Sequence, residues 1–171
     1  MSSKICVLAR AVILEDDHLL LAYPTENCSR TPQGASRFYF LPGGHIERHE
    51  SAVHALVREI REELGLPCDV ERFLGVIEHA WARNPAINDC HTHELNLIFK
   101  ARIAGLSPQD PVPQREPQVA FCWQPLVHLA HLDFRPAPLK TVLPQWIASP
   151  ESKFLSTLWA SAPPFSAPHA L

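Results

Sequence analysis

Between Gly43-Gly44 and Leu66 the chain carries Glu50, Arg58, Glu59, Glu62 and Glu63. On a helix each residue turns about 100°, so Glu63 falls about 40° to one side of Glu59 and Glu62 about 60° to the other. Three carboxylates then share one face beside an apolar stripe. Like charges at three- and four-residue spacing repel one another and cost stability unless a positive charge sits among them. A hard divalent cation suits that need, because Mg²⁺ prefers oxygen ligands. The glycine pair lets backbone approach a metal or a phosphate closely, since no Cβ intervenes. Arg58 can pair with Glu50 or bond a phosphate oxygen. A solvated acidic helix face is the plainer reading, and it loses weight once glycines, arginine and carboxylates are counted together.

These residues need elements to hold them. From Ser51 to Leu64 apolar residues recur at three and four (Val53, Leu56, Val57, Ile60, Leu64), which predicts a helix with that stripe buried. Ser51 is a candidate N-cap, Gly65 a C-terminal stop, and Pro67 forbids continuation. Upstream, Ile5–Leu14 and Leu19–Tyr23 read as a hairpin around Glu15-Asp16-Asp17. Residues 24–37 read as a loop, and Phe38–Leu41 as a short strand running into Pro42-Gly43-Gly44. Downstream, Val70–Trp81 and Glu94–Ile103 read as strands joined by a polar loop over 82–93. Residues 104–118 hold four prolines and read as irregular. Val119–Trp123 reads as a last strand, Leu126–Ala130 as a short helix and Leu139–Ile147 as another. The domain is expected over 1–148, with 149–171 as a partly ordered C-terminal tail that mixes an apolar stretch, Phe154–Trp159, with Pro163-Pro164 and Pro168.

Length and composition restrict the function classes. At 171 residues the chain fits one domain with a real core. The formal net charge of −3 and the lack of a dense Lys/Arg run disfavour polymeric nucleic acid as a partner. The five cysteines are scattered without a Cys-x-x-Cys pair, which points to a reducing compartment. No signal peptide and no membrane-length apolar run is visible. The expectation is a cytoplasmic protein without a membrane partner. Its oligomeric state is left open, a homodimer among the options.

The order Gly44, five residues, Glu50, seven residues, Arg58-Glu59-Ile60-x-Glu62-Glu63-x-Gly65-Leu66 resembles the signature of the Nudix hydrolases at every fixed position. Leu41-Pro42-Gly43 also resembles the family's lead-in. The resemblance implies an α/β fold, a single-domain α/β/α sandwich with a mixed sheet. It implies hydrolysis of a pyrophosphate bond in a nucleoside diphosphate linked to another group, by water attack on phosphorus, with Mg²⁺ or alternatively Mn²⁺. Carried over by position, Glu59 and Glu63 are the main metal ligands, Glu62 and the Gly43 carbonyl assist, and Arg58 with Glu50 forms a supporting pair. The general base is left between the box and an outside glutamate, Glu116 or Glu94, either of which could be a plain surface charge.

The substrate is expected to be a small nucleotide-like molecule. Phe38, Tyr39 and Trp81 are candidates to stack on a base, with core packing the competing role for each. Cys90-His91-Thr92-His93 matches no common zinc spacing and reads as a polar loop. His45 and His49 read as solvated loop histidines. Two other classes stay in view: a Nudix-fold nucleotide sensor without turnover, against which the intact box argues, and an RNA 5′-end hydrolase, against which the acidic balance argues.

Overall fold

The computed structural model describes residues 5–25, 37–81 and 93–158. β1 (Cys6–Glu15) and β2 (His18–Pro24) form the expected hairpin, joined by Asp16 and Asp17 at φ +47° and +59°. Two successive left-handed residues make the tight turn whose twist suits a hairpin, and Asp tolerates that region better than most side chains. α1 (Ala52–Leu64) follows, then β3 (Asp69–Ala80), β4 (His93–Arg102), β5 (Val119–Pro125), a 3₁₀ turn (Leu126–His131), α2 (Leu139–Ala148) and β6 (Lys153–Ser156). The sheet order is β5-β2-β1-β4-β3-β6, with β1/β4 and β3/β6 parallel and the remaining pairs antiparallel. The mixed α/β/α sandwich is therefore present.

Among the described residues, each face of the sheet carries one α-helix. Leu56, Ile60 and Leu64 of α1 pack with Ala9, Ala11, Leu20, Phe99 and Phe121. Leu139, Leu143 and Trp146 of α2 pack with Val12, Leu19, Leu74, Ile77 and Ile98 on the opposite face. Alternation along the strands divides the side chains between the two cores.

Four elements differ from the reading of the sequence. Phe38–Leu41 is not a strand: Tyr39 and Phe40 make only isolated bridges, to Phe134 and Ala22. The reason is that the chain here parts two strands instead of extending one. β1 and β2 pair only near the turn, at Leu14 with Leu19 and Glu15 with His18. Beyond it, Phe40 exchanges both backbone bonds with Ala22 of β2, while Pro42 O, Gly44 O and Ile46 N bond Ala11, Ala9 and Val7 of β1. The glycine segment thus sits between β1 and β2. The helix stripe is also rotated: Val53 is 42% exposed, while Ala55 and Glu63 are buried with Leu56, Ile60 and Leu64. The short helix after β5 is a 3₁₀ turn. The tail contributes a sixth strand, β6, paired with the bulged strand β3.

α1 has the expected ends. Ser51 Oγ accepts from His54 N at 3.2 Å, and Gly65 closes the helix at φ +73° with its N–H on Arg61 O. Since Leu56 is fully enclosed and Val53 faces solvent, Leu56→Ala is expected to cost about 2–5 kcal/mol. Val53→Ala should stay within about 0.5 kcal/mol. Urea denaturation of the two variants checks the rotation of the helix; equal losses would contradict it.

Candidate active site

The site is built around one peptide group. Gly43 stands at φ +113°, and a Cβ there would lie 2.3 Å from Ala9 O and 3.0 Å from Leu56 Cδ1. Only glycine fits. Its N–H donates to Glu63 Oε2 at 3.1 Å, from the α1 side. Its carbonyl accepts from Arg10 Nη1, which also donates to Leu41 O at 3.2 Å, while Arg10 Nε reaches Asn96 Oδ1 at 3.4 Å. The gap between β1 and β2 thus lets a carboxylate from α1 and a guanidinium from β1 hold the same glycine. Gly44 serves differently: a Cβ on it would fall 2.4–2.5 Å from the Glu59 carboxylate.

Arg58 organises the outer half of the site. It forks onto Glu50 with Nε–Oε1 at 2.9 Å and Nη2–Oε2 at 3.0 Å, the bidentate geometry that makes such pairs strong. Nη1 also reaches Glu59 Oε1 at 2.9 Å and Glu62 Oε2 at 3.1 Å, and Nη2 donates to His45 O at 3.0 Å. The glycine loop, Glu50 and the helix face are thereby tied to one cation. Arg58's hydrogen bond holds Glu50 below the usual carboxylate range, and Glu50 in turn pushes Arg58 further up.

The inner carboxylates respond to burial. Glu63 is 5% exposed, and desolvation pushes it up to about 8 despite the attraction of Arg10 and the Gly43 N–H. The charges of Glu59 and Glu116 add to that rise. Glu59 is also raised by burial, with Arg58 opposing. Arg10 is lowered by burial, against the pull of Glu63, Glu94 and Glu59. Two carboxylates shifted toward their neutral forms mark a place short of positive charge.

The donors suit a hard cation. Glu59, Glu62 and Glu63 offer carboxylate oxygens, the ligand type that Mg²⁺ and Mn²⁺ prefer, and Gly44 leaves free the space beside Glu59 that a Cβ would fill. Arg58 is the competing cation, and among the described residues no three such groups close on one point. The Gly43 carbonyl, expected to assist a metal, accepts a hydrogen bond from Arg10.

A family model described as the NUDIX domain matches residues 7–146. The chain belongs to the Nudix family. Over 86 residues it is 36% identical to the human 8-oxo-dGDP phosphatase NUDT18, an alignment covering 48% of this chain and 25% of that protein. Over 93 residues it is 30% identical to the 8-oxo-dGTP diphosphatase of Buchnera aphidicola, covering 54% and 64% respectively. The chain thus spans less than two thirds of either relative. Among solved structures, a NUDIX hydrolase from Nitrosomonas europaea shares the fold at TM-score 0.66 and 23% identity, covering 87% of this chain and 93% of that one. A MutT NUDIX hydrolase from Burkholderia pseudomallei is 27% identical at TM-score 0.56, covering 72% and 85%.

Of the residues expected at the site, Glu50, Arg58, Glu59, Glu62, Glu63 and Gly43 come together, with Glu116 near enough to act on Glu63. Glu94 lies on β4 opposite His79 of β3, on the sheet face that carries α2, near enough to act on Arg10 but outside the carboxylate cluster. Trp81 packs edge-on against His79 at 4.4 Å. Phe38 lies between the Phe40 ring at 6.0 Å and the Arg135 guanidinium at 4.0 Å. Tyr39, half-buried, packs on Tyr23 and the α2-side core. His45 and His49 are exposed on the box loop. His93 bonds Glu78 at 3.0 Å, and Cys90, His91 and Thr92 lie outside the described residues. Among those described, no helix is long and apolar enough to cross a membrane.

Arg10 and Asn96 were missed, although each interrupts an apolar strand run, ICVLARAVIL and LNLIF. A buried strand tolerates such a residue only when it is paired, so the interruption itself was the signal.

In the metal-free protein Glu63 rises from an ordinary 4.5 to about 8. The folded chain then keeps a proton that the unfolded chain releases. The associated stability is fully present below the unfolded value and is lost as pH rises through the folded one. In EDTA, wild type should lose melting temperature relative to Glu63→Gln as pH rises from about 4.5 to about 8, with no further relative loss above that. Melting curves that stay parallel across that range would contradict this origin of the shift.

Proposed function

We propose that this Nudix chain is a divalent-metal-dependent hydrolase that cuts a pyrophosphate bond in a nucleoside-diphosphate-linked small molecule, by water attack on phosphorus. The observation that carries the reading is the Gly43 peptide held between Glu63 and Arg10, beside the Glu59 carboxylate. It joins a side-chain-free glycine turn to a helix face short of positive charge.

Glu59, Glu62 and Glu63 are the residues that would hold Mg²⁺, or Mn²⁺ in its place. The bound ion would neutralise diphosphate oxygens and acidify a water. The chain's own residues do the rest. Arg58, anchored on Glu50, keeps the Glu59 and Glu62 carboxylates on one face and the box loop against the helix. Gly43 fixes the turn, and Gly44 keeps the place beside the Glu59 carboxylate clear of a side chain. Glu116, close to Glu63 on the loop before β5, is assigned as the base that takes the proton of the attacking water. Phosphoryl transfer asks mainly for such positioning and charge stabilisation. On the far side of the glycine segment, Glu94, Trp81 and Phe38 are assigned to the group beyond the diphosphate.

The relatives' names make oxidised deoxyguanosine di- and triphosphates the first compounds to try. Phosphate release from 8-oxo-dGDP, 8-oxo-dGTP, unmodified nucleotides, ADP-ribose and a capped RNA is measured with Mg²⁺ and with EDTA. Turnover of a small nucleotide is expected in Mg²⁺ alone. Glu62→Gln and Glu63→Gln should each lower kcat by about a hundredfold or more. Nucleotide binding without turnover under all conditions would replace the hydrolase with a sensor, and turnover of capped RNA alone would move the substrate to RNA 5′ ends.

A further inference from the structure

The family match ends at residue 146, yet the chain adds β6 beyond it and pairs it with β3 in parallel register, Ile77 with Leu155 and Glu78 with Ser156. That register sorts the hydroxyls at the end of β6 onto opposite faces. Ser156 Oγ donates to Glu78 Oε2 at 2.6 Å on the α1 side, where His93 meets the other oxygen of Glu78 at 3.0 Å. Thr157 belongs to the α2 side, with its Oγ1 3.1 Å from Nδ1 of His79, and its backbone N–H on Glu78 O at 3.0 Å.

His79 is the first member of a polar strip across that face. Directly opposite it on β4 stands Glu94, 8% exposed. Asn96 donates to Glu94 at 3.3 Å and accepts from Arg10, which holds the Gly43 carbonyl. The strip therefore runs from the C-terminal strand to the glycine turn at the diphosphate site. Ile77, Ile98 and Val12 share this face, so the polar residues interrupt an otherwise apolar wall. Trp81 leans edge-on against the His79 ring at 4.4 Å.

We propose that β6 is a specificity element, and that Thr157 is a positioning residue which holds the His79 ring in one tautomer and orientation toward the group the substrate carries beyond its diphosphate. The assignment rests on the hydrolase reading for its substrate and on geometry for its hydrogen bond. A neutral imidazole has one donor and one acceptor nitrogen, and the partner of one decides what the other offers. Burial holds His79 below the usual histidine range, with Glu94 opposing, so the neutral ring is the form at issue. The Thr157 hydroxyl donates to Glu78 O at 3.4 Å, so toward Nδ1 it accepts, which places the ring proton on Nδ1 and leaves Nε2 as the acceptor. Without the hydroxyl both tautomers become accessible, and the edge presented beside Glu94 is no longer defined.

Three variants test this: Thr157→Val keeps the shape and removes the hydroxyl, Thr157→Ser keeps the hydroxyl, and Ser156→Ala removes the neighbouring hydroxyl on the other face. Ring ¹⁵N spectra, with His79 assigned by its loss in His79→Gln, are recorded beside kcat and KM for 8-oxo-dGTP and dGTP and beside melting temperature. Wild type, Thr157→Ser and Ser156→Ala should show a single His79 tautomer, and Thr157→Val a mixture. KM in Thr157→Val should rise roughly tenfold for the nucleotide turned over, the size expected of one lost hydrogen bond, with kcat within about twofold and Thr157→Ser restoring it. An unchanged tautomer in Thr157→Val overturns the proposal, as does a KM rise that Ser156→Ala shares. If wild type turns over neither nucleotide, the hydrolase reading is in question on its own, and the ring spectra still decide whether Thr157 sets His79.

Discussion

The structure depends on the backbone of Gly43 being claimed from both sides of the sheet. Its N–H serves Glu63 on α1 and its carbonyl serves Arg10 on β1. For both to reach it, the chain has to run through the sheet between β1 and β2, which is why those strands pair only next to their turn. The parting costs ladder bonds, and the segment from Phe40 to Ile46 replaces them with bonds to both neighbours. A backbone polar group left unpaired there would cost about as much as a lost buried hydrogen bond. The opening is therefore sealed except where glycines leave room.

The electrostatics follow from that architecture. α1 lays an apolar stripe on the sheet, and the stripe's rotation carries Glu63 under cover while Val53 faces solvent. A carboxylate so placed is driven toward its neutral form, and Arg10 offsets only part of the cost. Arg58 gathers the more exposed acids into one fork-centred cluster. The half-exposed Glu62 pair contributes little stability singly; the value of the cluster is geometric, fixing box loop and helix together. The site spends stability for charge density, as functional sites commonly do.

The same gap connects two chemically different faces. On the α1 side lie the clustered carboxylates; on the α2 side Arg10, Asn96, Glu94 and His79 form a strip ending at Thr157. Arg10 belongs to both, since it touches the glycine turn and the β4 amide. In the proposed hydrolase, such a layout would let one element hold a diphosphate while another reads what is attached to it.

Much was legible in the sequence, because short-range rules govern those parts. The helical period, the Ser51 cap and the Gly65 stop are local, and so is the run of carboxylates at fixed spacing. Strand bounds came within a residue or two for β3 and β4, whose alternation and flanking turns are local as well. The box pattern, held on one rigid helix and its entry loop, was sufficient to bring Glu50, Arg58, Glu59, Glu62 and Glu63 to one place. What tertiary structure alone decided is long-range. Phe38–Leu41 looks like a strand, yet the partners of Ala22 and β1 determine that it parts two strands instead. Arg10 and Asn96 are 86 residues apart and meet only because β1 and β4 pair in parallel register. β6 exists because β3 has a free edge to offer, which no local propensity of Lys153–Ser156 announces. Sequence spacing specifies what one element presents; register and strand order specify which elements face each other, and those depend on the whole chain.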